Sequence, residues 1–128
     1  MKNFGILLLL SVLIFSCNKV EGEGGTSSIF GTLTVEEYKN DGTFKVSYPG
    51  ADEDIYIIYG KDNNTFNDKI TTSYDGSYRI DNLTTGSYKI YSYSKCKTCD
   101  SKTEAIFVNV TIGKSKEVVT APNLIIEK

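Results

Sequence analysis

The chain has no histidine and no tryptophan, and only two prolines among its 128 residues. Without histidine, Ser-His-Asp and Cys-His catalysis are excluded, and any metal would depend on carboxylates or thiolates. Without tryptophan, the residue most favoured for stacking on sugars is missing, and tyrosine or phenylalanine would have to take its place. There is no excess of basic charge: 14 Lys and Arg stand against 16 Asp and Glu, a net charge of −2. Nucleic acid and anionic lipid surfaces attract basic patches, so neither is an expected general partner. No apolar run reaches the ~20 residues that a membrane-spanning helix needs.

One apolar run is present, at the start. Met1-Lys2-Asn3 is short and basic, Phe4 to Phe15 is apolar except for Gly5 and Ser11, and Ser16-Cys17 ends it. This order of basic, apolar and small residues is that of a secretory signal. A cysteine directly after a small residue resembles the cleavage site of bacterial lipoproteins. The resemblance implies residues 1–16 as a signal peptide and Cys17 as the lipidated N-terminus. Two or more acyl chains hold a protein stably on a bilayer, whereas one holds it only marginally. Asn18 stands where an Asp would retain some lipoproteins at the inner membrane, so an outer-membrane location is expected. Cys17-Asn18-Lys19-Val20-Glu21-Gly22-Glu23 also resembles the surface-export segment of Bacteroidota lipoproteins. The mature chain would hold 112 residues, with 13 basic and 16 acidic side chains. That length suits one domain with a modest core.

Residues 17–28 hold Gly22, Gly24, Gly25, Thr26, Ser27 and Ser28. Their composition predicts a flexible tether of about 10 residues with a span of roughly 15–20 Å. From residue 29 onward, short runs rich in Ile, Val, Thr, Tyr and Phe are separated by Gly, Asn and Asp clusters. In the first run Ile29, Gly31, Leu33 and Val35 share one face and Thr32, Thr34 and Glu36 the other. Such period-two alternation predicts strands. Ile55 to Tyr59 is apolar on both faces and reads as a central strand. Ile106, Val108, Val110 and Ile112 alternate strictly. Seven to nine short strands in residues 29–128 predict an all-β fold, a two-sheet sandwich.

The strongest internal motif runs from Thr71-Thr72-Ser73-Tyr74-Asp75-Gly76-Ser77-Tyr78-Arg79-Ile80 through Leu83 and Gly86 to Tyr88 and Ile90. With Ile29-Phe30-Gly31-Thr32-Leu33 before it and Val110-Thr111-Ile112-Gly113 after it, it resembles the carboxypeptidase regulatory-like domain. The resemblance implies a prealbumin-like (transthyretin-like) Greek-key β-sandwich. Each motif residue has a role in the scaffold: Asp75-Gly76 in a turn, Tyr78 and Ile80 on one face, Leu83 as a plug between sheets. The motif therefore specifies a fold and no site. Where many members have a short loop, Phe44-Lys45-Val46-Ser47-Tyr48 stands, an extra strand or a variant loop. The histidines of transthyretin-like hydrolases are missing, and the first strand has no interior Lys for an isopeptide cross-link.

Three sets of residues are candidates for chemistry. Cys96 and Cys99 are an even pair once Cys17 is set aside, and in an oxidising envelope compartment they read as a disulfide. A free thiol or metal pair and a redox pair are the alternatives; zinc would need two more ligands, and a redox thiol a helix N-terminus. Asp52, Asp54 and Asp62 offer oxygen ligands for Ca²⁺, but neither of their loops matches a full Ca²⁺ loop. Tyr56, Tyr91 and Tyr93 fall opposite the core-facing positions of their strands. They would form an exposed aromatic face suited to a sugar or protein ligand, or would cover a sheet's second face. No catalytic residue and no cofactor is implied. The expected function is a non-catalytic envelope lipoprotein for adhesion, assembly or ligand presentation, with glycan or nutrient capture through the tyrosines as the alternative. Its partners would be the membrane, through the lipid, and an envelope protein or glycan, without nucleic acid.

Overall fold

A computed structural model of the chain describes residues 20–128. The signal peptide and Cys17 lie outside the described residues. Nine strands and no helix make up the described part, so the protein is all-β. They are β1 (Glu23–Tyr38), β2 (Phe44–Pro49), β3 (Asp54–Tyr59), β4 (Asp68–Thr71), β5 (Ser77–Leu83), β6 (Gly86–Lys95), β7 (Thr103–Ile112), β8 (Val118–Thr120) and β9 (Leu124–Glu127).

Two sheets form. One has β1 at its centre, paired antiparallel with β5 along its first half and with β2 along its second, and parallel with β8 and then β9 on its other edge. Ala121-Pro122-Asn123 separates β8 from β9, as expected where proline supplies no ladder N–H. The other sheet has the order β4-β3-β6-β7, all antiparallel. Between the sheets lie Ile29, Leu33 and Val35 from β1, Ile55 and Ile57 from β3, Tyr88 and Ile90 from β6, and Leu124 and Ile126 from β9, all buried. Alternation explains the choice: every second side chain of each strand faces inward.

The motif works as a scaffold. Gly76 takes φ 79°, which lets the chain turn tightly between β4 and β5. The Asp75 carboxylate accepts the Ser77 N–H at 3.0 Å and its hydroxyl at 2.6 Å. Tyr78, Ile80 and Leu83 then enter the core.

One expectation changes, and one open alternative is decided. Residues 20–28 are not a free tether, and the domain begins well before residue 29. β1 starts at Glu23. Val20 C=O accepts the Thr84 hydroxyl at 2.9 Å, and Gly22 C=O accepts the Thr84 N–H at 2.9 Å. Ser27 is fully buried, and its hydroxyl donates to Lys114 C=O at 2.9 Å. Glycines that read as a linker serve close packing: a Cβ at Gly25 would strike the Leu83 carbonyl, and one at Gly22 would press on the Tyr59 ring. The open alternative concerns Phe44 to Tyr48, an extra strand or a variant loop. They form strand β2, but it lies outside the core, with all its side chains exposed. β2 pairs only with β1 and no strand of the second sheet covers it.

Candidate functional site

The four-stranded sheet has an inner face in the core and an outer face in solvent. Register places Tyr56 of β3, Tyr91 of β6 and Phe107 of β7 side by side on the outer face. The Tyr56 and Tyr91 rings stack, 4.9 Å between centroids and 12° between planes. Phe107 lies 4.9 Å from Tyr91 on the far side. Tyr93, two residues further along β6, meets Tyr56 and Tyr91 edge-on at 5.5 and 5.6 Å. Phe66, from the loop between β3 and β4, meets Tyr56 edge-on at 5.0 Å.

The three tyrosines singled out in the sequence are thus brought into one cluster. Their exposures differ. Tyr91 is buried beneath its neighbours at 7%, whereas Tyr93 and Phe107 are about half exposed, at 50% and 52%. Burial, with the nearby Tyr93 and Tyr56 hydroxyls, pushes the Tyr91 phenol up to about 12. Tyr91 is the floor of the cluster, and Tyr93, Phe107 and Phe66 are its contact surface.

Sequence reasoning missed Phe107 and Phe66. Phe107 had a signal, since it alternates with the core residues Ile106 and Val108 and must face outward. Phe66 had none, because a loop residue has no fixed facing until the loop is folded. Asn67 fixes that loop: its N–H donates to Ile57 C=O and its side-chain oxygen accepts the Tyr59 N–H, at 2.8 and 2.9 Å.

Two hollows with polar side chains among their walls flank the aromatic row. Beyond Tyr93, a hollow of about 200 Å³ is lined by Asp52, Glu53, Asp54, Tyr56, Ser92 and Tyr93. At the other end of the same strands a hollow of about 350 Å³ is lined by Lys61, Ser87, Lys89, Asn109 and Thr111, among others. A roomier hollow of about 610 Å³, at Glu21, Tyr59 and Lys61, is wide open and polar and holds no part of the row.

The calcium candidates are not brought together. Asp52 and Asp54 lie at the start of β3 and Asp62 in the loop beyond its end. A strand of six residues separates them, roughly 20 Å. Asp54 already faces the Lys69 ammonium at 3.6 Å, and Glu53 pairs with Lys128. The only metal-type grouping among the described residues is Cys96, Cys99 and Glu104. Its two sulfurs are joined as the Cys96–Cys99 disulfide, so no thiolate remains to bind a metal.

A second exposed apolar surface lies on β2, where Phe44, Val46 and Tyr48 alternate along a free sheet edge. Tyr38 packs edge-on against Phe44 at 6.0 Å, and the Tyr48 hydroxyl donates to Glu37 at 2.9 Å.

No family model matches the chain, and no curated protein matches it. Among solved structures it is similar to a "putative carbohydrate binding protein" from Pseudomonas aeruginosa. The similarity covers 84% of this chain and 91% of that one, at 15% identity and a TM-score of 0.47. At that level of likeness no property of that protein carries over to this chain.

Proposed function

We propose that this chain is a non-catalytic, lipid-anchored envelope protein whose outer aromatic face binds a glycan. The observation that carries the reading is the in-register row of Tyr56, Tyr91 and Phe107, extended by Tyr93 and Phe66 and flanked by two hollows with polar side chains among their walls. A sugar ring has apolar faces and a polar rim. Aromatic rings suit the first, and Asp52, Lys89 and Asn109 suit the second. The row crosses the three strands, and the hollows lie to either side of it along them, which gives a sugar both ring faces and polar walls within one patch.

Size favours a glycan over a broad protein contact. At about 200 Å² per aromatic side chain, the rings expose roughly 350 Å². A standard protein interface takes about 800 Å² from each partner. The sequence has no imidazole for acid–base or nucleophilic work, in keeping with binding without turnover.

The scaffold reading, a carboxypeptidase regulatory-like sandwich, rests on the motif around Asp75-Gly76. The location, the outer membrane with the domain on either face, rests on the signal ending at Cys17. Cys17→Ser should release the folded protein from membranes; retention there would overturn the anchor. The glycan reading is tested with the full chain on a polysaccharide array, followed by affinity electrophoresis. Wild type should bind at least one polysaccharide, and Tyr93→Ala/Phe107→Ala should lose at least ten-fold in affinity while staying folded. Binding by neither, or equal binding by both, would sink it.

A second reading, assembly with an envelope protein, is favoured by β2. An exposed strand edge bearing Phe44, Val46 and Tyr48 suits strand addition by a partner. A photo-crosslinking residue at Ser47 should then trap one discrete partner in native envelopes; no discrete product would count against it.

A further inference from the structure

The segment between the proposed lipid and the fold is far shorter than its composition implies. Val20 is held by Thr84, Gly22 by Thr84 and Tyr88, and β1 follows at Glu23. Only Asn18 and Lys19 separate Cys17 from Val20. Three residue steps span at most about 11 Å fully extended.

The strand directions define which end of the sandwich this is. β1 enters at Glu23 beside Leu83 of β5, β6 begins there at Gly86, and β3 and β7 end there at Tyr59 and Ile112. The loops at this pole carry Lys61, Asp62, Lys114, Ser115 and Lys116, all exposed. Val20 itself is 75% exposed. The opposite pole carries the Lys39–Thr43 turn, the disulfide loop and the C-terminal Lys128.

We propose that this pole, formed by Val20 and the Lys61, Thr84 and Ser115 loops, rests against the surface of the bilayer that holds the lipid. The inference depends on the lipid anchor at Cys17 put forward above. The domain then stands upright. Tyr91 lies five residues up β6 from Gly86, roughly 17 Å above the pole. The aromatic face is turned sideways, and its Tyr93 end and acidic hollow point away from the lipid. A free tether of ten residues would instead let the domain tumble and present any face to the membrane. The alternation of lysines with Glu21 and Asp62 gives the pole mixed charge, so the anchor, and not lipid charge, sets the contact.

The test uses the full lipidated chain in phosphatidylcholine vesicles containing a lipid with a nitroxide on its headgroup. A fluorophore is placed at Ser115→Cys, on the pole, or at Lys39→Cys, at the other end. The disulfide and the thioether leave the new thiol as the sole site of labelling. Quenching at Ser115→Cys should exceed that at Lys39→Cys by at least three-fold. Inserting ten Gly and Ser residues between Lys19 and Val20 should erase most of that difference. Equal quenching at the two sites, in protein that floats with the vesicles, would overturn the upright placement and leave the anchor intact. Failure to float would overturn the anchor, and this inference with it.

Discussion

The Tyr88 hydroxyl accepts the backbone N–H of Gly22 at 3.0 Å and donates to the C=O of Thr84 at 2.7 Å. One core tyrosine of β6 thereby ties the segment before β1 to the turn between β5 and β6. Gly22 has φ 139°, and a Cβ there would press on the Tyr59 ring at 3.0 Å, so glycine is needed at this contact.

Tyr88→Phe keeps the ring in the core but leaves a buried N–H without its acceptor. The loss should be about 1–3 kcal/mol. Denaturant unfolding reads the loss, and hydrogen exchange at the Gly22 amide should accelerate more than that at Ile90.

Gly25→Ala distinguishes a packed strand from a tether. A methyl group there meets the Leu83 carbonyl, which belongs to the backbone and cannot swing away. Destabilisation of about 1–3 kcal/mol or more is expected, as for overpacking elsewhere. In a tether the substitution would leave the melting temperature unchanged.

Alkali should unfold the protein through two tyrosines. Burial pushes Tyr78 and Tyr91 from 10.0 up to about 12. Raised in the folded state, these groups contribute stability that is whole below pH 10 and lost as pH rises toward 12. Phenolate absorbance at 295 nm should show two late-titrating phenols appearing together with loss of ellipticity. Tyr91→Phe should remove one of them.

The acid limb has the opposite sign. Asp75 is held below 3.8 by the Ser77 hydroxyl and N–H, and Asp81 by the Ser28 hydroxyl and Arg79. Depressed in the folded state, they contribute stability that is present above about pH 4 and lost as pH falls. Melting temperature against pH should decline below 4, and Asp75→Ala should flatten that decline.

Reduction of Cys96–Cys99 should be mild. The bridge closes a loop of about four residues, which limits its contribution to ~2 kcal/mol. The β6–β7 ladder continues to Lys95 and Thr103, and Cys96 N–H donates to Lys102 C=O at 2.9 Å, so the hairpin holds without the bridge. Cys96→Ala/Cys99→Ala should fold, with a melting temperature lower by several degrees.

Much of the fold was legible because strands carry a period of two. Ile29, Leu33 and Val35 declared their shared face, and Val110 and Ile112 theirs, from spacing alone. Asp75-Gly76 announced a turn because few residues adopt φ near 79°. The site was legible by subtraction: Tyr56, Tyr91 and Tyr93 were left over once the core positions were assigned. The tether was misread because Gly and Ser serve two ends. They loosen a chain in water, and they also let one backbone lie against another, as Gly25 does against Leu83.

By itself the sequence determined an all-β chain, the inward and outward sides of its strands, and a chemistry without imidazole. These depend on backbone geometry and residue type, which are local. Tertiary structure alone decided that Tyr56, Tyr91 and Phe107 share one row, since pairing register joins residues up to 51 positions apart. It likewise decided that Asp62 stands away from Asp52 and Asp54, that β2 lies outside the core, and that Val20 belongs to the fold. Each follows from which strands become neighbours, a choice made by burial of the whole core and not by any single segment.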